Sequence, residues 1–189
     1  MKLLFFDLET TGIKYWRNGI HQISGEVVID GESKEYFNFN VCPNPQCEIE
    51  DEALQVCNVT REQILAYPSM NEVYTAFVNL LGKYVDKFDR LDKFFLVGYN
   101  NASFDNYFLK AFFAQNGDKF FYSWFWVNCI DVMVLASHHL METRHQMSDF
   151  KLETVARQLG IELDRDRLHD AAYDIHLTKE IYQILVGKA

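Results

Sequence analysis

Five residues in three short stretches have the types and spacing for metal-assisted chemistry. Asp7 and Glu9 stand two apart in FDLETTG, Asp105 closes NNASFD, and HDAAYD runs from His169 to Asp174. Carboxylates are the ligands of hard divalent cations, so an all-oxygen set of this kind suits magnesium or manganese. A histidine with an unperturbed pKa of about 6.5 can take up or release a proton near neutral pH.

Each stretch also has a plainer reading. Asp7 and Glu9 follow the apolar run Lys2 to Phe6, and alternation along a strand points both to one face. Side by side they repel unless a cation lies between them, yet acids are also common where a strand enters a turn. Thr10, Thr11 and Gly12 come next, and a glycine there lets backbone approach a ligand closely. Asp105 opens a helix that follows a buried strand, where an acid is a favourable capping and dipole choice in its own right. Sites in open α/β sheets nevertheless gather at strand carboxyl ends, and three acids converge if the two strands are neighbours. Asp174 falls on the stripe of Thr178 and Ile181, which faces the sheet, and a buried charge needs a partner or a metal. His169 lies five residues earlier, about 500° around a helix, so the two share no helical face. This places His169 on the loop ahead of the helix, whose cap is Asp170.

The elements that must position these groups follow from periodicity. Lys2 to Phe6, Gln22 to Ile29 and Glu35 to Val41 read as strands, with Asp30-Gly31 as a hairpin signal between the second and third. Ile49 to Cys57 and Arg61 to Ala66 read as short helices. Ser69 caps a longer helix carrying Val73, Phe77, Leu80, Leu81 and Val85 at helical spacing. Phe94 to Val97 is a short strand, Phe104 to Gln115 a helix, and Phe121 to Val127 a ring-rich strand. Helices follow over Asp131 to Leu140, Leu152 to Leu159 (ended by Gly160) and Asp170 to Val186. An antiparallel start followed by alternating strands and helices predicts an α/β fold with a mixed sheet.

The chain has 189 residues, no repeat, no linker and no low-complexity tract, which predicts one domain over residues 1–189. A net charge of −9 argues against a tight, sequence-specific grip on duplex DNA. It weighs less against an enzyme that holds only a strand end, where bound cations attract phosphate locally. Cys42, Cys47, Cys57 and Cys129 show no paired spacing and read as free thiols of a reducing, cytoplasmic protein rather than a zinc site or disulfide framework. No apolar run reaches a membrane-spanning length, and the N-terminal run is too short for a signal peptide.

Taken together, FDLETTG, NNASFD and HDAAYD resemble, in order and separation, the three motifs of the DnaQ-like, proofreading-type 3′→5′ exonucleases, in the branch that carries a histidine (DEDDh). The resemblance covers nearly the whole chain. His21-Gln22-Ile23 falls where the family's second strand begins. Glu52-Ala53-Leu54 with Val59-Thr60 resembles its substrate-side helix and loop, Cys129 to Val132 with Leu135-Ala136 the helix after the second motif, and Lys151 to Ile161 the segment before the third. Asn100 departs from the pattern, standing where many proofreading relatives have histidine.

The resemblance implies a ribonuclease H-like fold with a mixed five-stranded sheet, its first three strands antiparallel and helices flanking it. It implies two Mg2+ or Mn2+ ions held by Asp7, Glu9, Asp105 and Asp174. Asp7 would touch both, Glu9 and Asp174 would serve the ion of the attacking water, and Asp105 would act partly through water. His169 would be the general base, and the product a nucleoside 5′-monophosphate. Leu8, Thr10, Thr11, Gly12, Leu54, Asn101 and His169 are expected around the terminal nucleotide of a single-stranded 3′ end. Thr10-Thr11 after the glutamate resembles DNA-directed members more than the oligoribonucleases. An RNA-trimming enzyme of the same family and a ribonuclease H-type endonuclease are the alternatives. The chain ends with its last helix and lacks the extension that ties a proofreading subunit to its polymerase. A free-standing enzyme, at most loosely associated with replication or repair machinery, is therefore expected.

Overall fold

The computed structural model describes residues 1–164 and 171–187. Strand β1 (Lys2–Thr10) is the centre of the molecule. Its alternation sends Leu4, Phe6 and Leu8 into one apolar cluster, and Leu3 and Phe5 into a second. Both faces are covered, which is why the strand begins as an unbroken apolar run. Antiparallel β2 (Ile20–Ile29) pairs with β1, and β3 (Glu32–Asn40) pairs with β2. Asp30 (φ 53°) and Gly31 (φ 88°) make the hairpin turn between them, the doubly positive φ that matches strand twist.

On the other side of β1 the pairing turns parallel. Strand β4 (Phe95–Gly98) sets Leu3 opposite Phe95 and Phe5 opposite Val97, and the two-residue β5 (Ile130–Asp131) pairs parallel with β4. The order β3-β2-β1-β4-β5 is the mixed five-stranded sheet expected from the sequence.

Helices α1 (Asp51–Val56), α2 (Arg61–Leu65) and α3 (Met70–Gly82) fill the β3–β4 connection. Ser69 and Glu72 form a capping box at the start of α3, and Val73, Phe77, Leu80 and Leu81 are buried at helical spacing. Helix α4 (Asp105–Gln115) follows β4, and the chain continues through α5 (Phe121–Trp124), α6 (Val132–His139), α7 (Leu152–Gln158) and α8 (Ala171–Leu185). Helices α3 and α4 enclose the first apolar cluster, and α6, α7 and α8 the second.

The ring-rich segment Phe121 to Val127 differs from expectation. It forms the helical turn α5, and Phe125 makes only an isolated bridge with Phe94. The fifth strand lies later, at Ile130–Asp131. The rings account for this: Phe121 and Phe125 meet at 4.8 Å, and Phe113 sits 5.1 Å from Phe121. Residues four apart on an extended strand are about 13 Å apart, so this contact requires the compact turn. Among the described residues no helix is long and apolar enough to cross a membrane.

One ion pair ties α8 to the sheet. Glu26, fully buried on β2 opposite Phe5, accepts from the ammonium of Lys179, while its second oxygen has no partner among the described residues. Removing one member of a buried pair strands the other in low dielectric. Lys179→Ala should therefore cost about 3–5 kcal/mol in urea unfolding, whereas a Glu26→Leu/Lys179→Met double variant should recover most of it. A loss under about 1 kcal/mol in the single variant would mean that water solvates Glu26.

Candidate active site

Parallel pairing of β1 with β4 brings their carboxyl ends side by side. Asp7 and Glu9 lie on the strand residues that continue the Leu3–Phe5 face, toward α8. Asp105 is the first residue of α4, seven residues beyond the end of β4, and is buried. Asp174, in the first turn of α8, is half-buried beside buried Thr178 and Ile181.

The electrostatics record the convergence. Burial raises the Asp7 carboxyl well above 3.8, and the charges of Asp105, Glu9 and Asp174 raise it further. Burial pushes Asp105 up to about 7, with Glu9 and Asp131 adding to the rise. Hydrogen bonding to the Leu8 amide holds both carboxyls back. Four acids from three elements thus crowd one corner, where the charges of Asp7 and Asp105 are disfavoured. His169 lies outside the described residues, as does Asp170.

The loop after β1 is braced from beneath. A Cβ on Gly12 (φ 156°) would stand 2.4 Å from Asn18 Nδ2, so the turn needs glycine. The buried Asn18 amide donates to the carbonyls of Thr11 (3.3 Å) and Glu48 (3.1 Å), and its oxygen accepts from the Lys14 amide at 2.9 Å. The Thr11 hydroxyl donates to Glu48 O (2.7 Å) and accepts from the Gly19 amide (2.9 Å), while Thr10 donates to the Gly12 carbonyl at 2.8 Å. Both threonine side chains thus serve the turn.

The second loop has its own anchor. Asp131, at the end of β5, accepts from the amides of Asn100 (3.0 Å), Ala102 (3.2 Å) and Met133 (3.0 Å). It therefore caps α6 and fastens the turn leading to Asp105, where Asn100 holds φ 63°. Asn101 is buried, with its amide donating to Asn106 Oδ1 at 3.3 Å and its oxygen without a partner among the described residues. Leu8 and Leu54 are buried as well.

On the Glu9 side, helix α1 ends against the acid: the Cys57 thiol donates to Glu9 Oε2 at 2.9 Å. Burial and the Glu9 charge raise the thiol's pKa. His21 is the extra residue of a β-bulge, since Glu9 pairs with Gln22 and Thr10 with Ile20. Burial lowers its imidazole to about 4. Spacing alone singles out none of Asn18, His21, Cys57 or Asp131 as site-supporting. Asp131 carried one signal, an acid standing directly before a helical run.

The β3-β2-β1-β4-β5 sheet, antiparallel over its first three strands and flanked by helices, is a ribonuclease H-like fold. The chain belongs to the RNase_T exonuclease family, whose model matches residues 4–182. It is 27% identical over 190 residues to the PolC-type DNA polymerase III of Clostridium perfringens, a match covering 97% of this chain and 11% of that protein. Escherichia coli exonuclease I has the same fold. Its complex with a dT13 oligonucleotide aligns over 100% of this chain and 41% of its own (TM-score 0.75, 20% identity). The zinc-ion-bound form of its single-stranded DNA complex aligns over 99% and 40% (TM-score 0.78, 19% identity). The chain thus spans about a tenth of the polymerase and two-fifths of exonuclease I.

The raised Asp105 carboxyl carries a pH signature. Between its ordinary 3.8 and about 7 the folded chain holds a proton that the unfolded chain has lost. The stability contributed by this group is present below the lower value and falls as pH rises through that window. Without divalent cations, the melting temperature of Asp105→Asn should fall less from pH 4 to 7 than that of the wild type. Magnesium should raise the wild-type value more than the variant's. Equal slopes and equal magnesium shifts would make Asp105 an ordinary, solvated carboxylate.

Proposed function

We propose that the chain is a metal-dependent 3′→5′ exonuclease that releases nucleoside 5′-monophosphates from single-stranded ends, with DNA preferred over RNA. One observation carries the reading: in a chain of the exonuclease family, four carboxylates from β1, α4 and α8 crowd one corner, and Asp7 feels the charge of the other three. Buried like charges are costly unless a cation lies among them, so the donor set fits divalent metal. Asp7, Glu9, Asp105 and Asp174 would hold it, and an all-oxygen set favours magnesium or manganese. When bound, two such ions lower the pKa of an attacking water and stabilise the leaving 3′ oxygen.

The chain's own groups do the rest. His169 takes the proton from the water, a role assigned from its place in HDAAYD. Asp131 holds the turn before Asp105 in place, and Asn18 holds the turn after Glu9. Backbone of Thr10 to Gly12 and the apolar surface around Leu54 would seat the terminal nucleotide.

A cleft of about 460 Å³ runs along the outer face of α4, lined by Asn106, Tyr107, Lys110, Tyr122 and Trp126 among others. Tyr15 stacks on Tyr107 with ring centroids 5.1 Å apart. Rings bind successive bases by stacking without reading sequence, beside cations that track the backbone, and Lys110 is the cation in this lining. Such a cleft suits a strand-binding chain whose net charge is −9. The solved complexes of exonuclease I with dT13 and dA16 favour single-stranded DNA as the substrate class.

Asp7→Ala should abolish magnesium-dependent release of mononucleotides from an end-labelled strand. It should leave the fold intact, because it relieves repulsion in the metal-free corner. Activity retained in clean protein would exclude the assignment, and internal cuts in a circular strand would favour an endonuclease. His169→Ala should lower turnover by roughly 10²–10⁴-fold. It should also remove the rise in rate between about pH 6 and 7, where a neutral imidazole replaces its charged form. An unchanged pH profile would take His169 out of the base role. Matched DNA and RNA strands, digested in parallel, test the sugar preference.

A further inference from the structure

We propose that Glu9, His21 and Cys57 form a site for a zinc-class divalent ion beside the four-carboxylate corner, and that filling it withdraws Glu9 from that corner. The second half rests on the exonuclease reading; the first stands without it.

Three observations meet here. One donor atom from each of the three side chains lies within 4.8 Å of the others. The Cys57 thiol already points at Glu9 Oε2, 2.9 Å away. His21 is 1% exposed, and its Nε2 has no hydrogen-bond partner among the described residues. A buried polar nitrogen without a partner carries a desolvation cost that a bound ion removes. The bulge that inserts His21 opposite the Glu9–Thr10 step accounts for its place here, since bulges re-aim side chains next to sites.

The donor set decides the kind of ion. One carboxylate oxygen, one imidazole nitrogen and one sulfur fit a borderline-soft ion such as zinc. They fit magnesium poorly, because it demands octahedral oxygen coordination. Zinc bonds of about 2.0–2.3 Å place tetrahedral ligands about 3.3–3.8 Å apart. The outermost donors therefore need to close by up to about an ångström, while Cys57 and Glu9, 2.9 Å apart, need to open slightly. As the zinc–sulfur bond forms, the thiol proton passes to solvent, and water takes the fourth position. Cys57 is half-exposed, which provides the way in. Zinc would then inhibit the magnesium-dependent reaction by holding Glu9 rather than by exchanging into the oxygen site.

The binding test needs no nuclease activity. Cobalt(II), as a spectroscopic stand-in for zinc, is titrated into the wild-type chain, and a sulfur-to-cobalt charge-transfer band should appear and disappear on adding zinc. Zinc should also protect Cys57 from alkylation, read by mass spectrometry, and leave Cys42, Cys47 and Cys129 reactive. His21→Gln should weaken zinc binding by more than the roughly 10–100-fold that loss of an outer-shell partner costs. Cys57→Ser should abolish the band. If the wild type gives no band and no Cys57 protection, the site does not exist, whatever the variants do. If binding occurs but zinc inhibits wild type and Cys57→Ser equally, the withdrawal of Glu9 is wrong while the site stands. If Asp7→Ala retains activity, the exonuclease reading fails without touching the binding result.

Discussion

Asp7 and Asp105 share a corner where water is scarce and where Glu9 and Asp174 add two more like charges. The surrounding structure is organised by that crowding. A parallel β1–β4 pair puts two strand ends at one edge of the sheet, and α8 brings a third acid against β1. Left to relax, the carboxylates would move apart; held together, Asp105 instead keeps its proton up to about 7. The turn before Asp105 and the turn after Glu9 are held by bonds that do not involve the carboxylates' charge on one another.

Asp131 and Asn18 supply those bonds. Asp131 is an acid too, but three backbone amides meet its carboxylate, so its charge is satisfied while that of Asp105 is disfavoured. Two aspartates, 26 positions apart in the chain, thus have opposite parts to play: one fastens the loop, and the other carries a disfavoured charge. Asn18 does for the first loop what Asp131 does for the second, with an amide in place of a charge. Rigid supports of this kind hold a reactive group at one geometry more tightly than a loop could unaided.

The acidic balance of the chain and its proposed work on a polyanion are compatible because attraction is local. Cations held among the four acids would draw phosphate to the scissile bond, and the rings beside α4 would hold bases by their faces. The proposed zinc-class site would lie on the Glu9 side of the same corner, where sulfur and imidazole donors stand next to a carboxylate. An acid shared between two donor sets of unlike hardness is sensitive to which metal is present.

The sheet was legible in the amino-acid sequence because its signals are local. An apolar run marked β1, Asp30-Gly31 marked the turn between β2 and β3, and a Ser69 cap followed by apolar residues at helical spacing marked α3. The three acidic stretches were legible as candidates for the same reason, since alternation and helical spacing decide which side chains share a face. Other features depended on contacts across long stretches of chain. Ring packing among Phe113, Phe121 and Phe125 turned an expected strand into a helical turn and moved the fifth strand to Ile130–Asp131. Cysteine spacing pointed to four free thiols, and they are free; it had no means of showing that Cys57 meets Glu9, 48 positions away, or that a bulge turns His21 to join them. By itself the sequence determined which residues can do chemistry and on which element each one rides. Which of them meet, and how strongly burial alters their charge, was decided by the tertiary structure alone, because desolvation and repulsion depend on neighbours that spacing along the chain does not reveal.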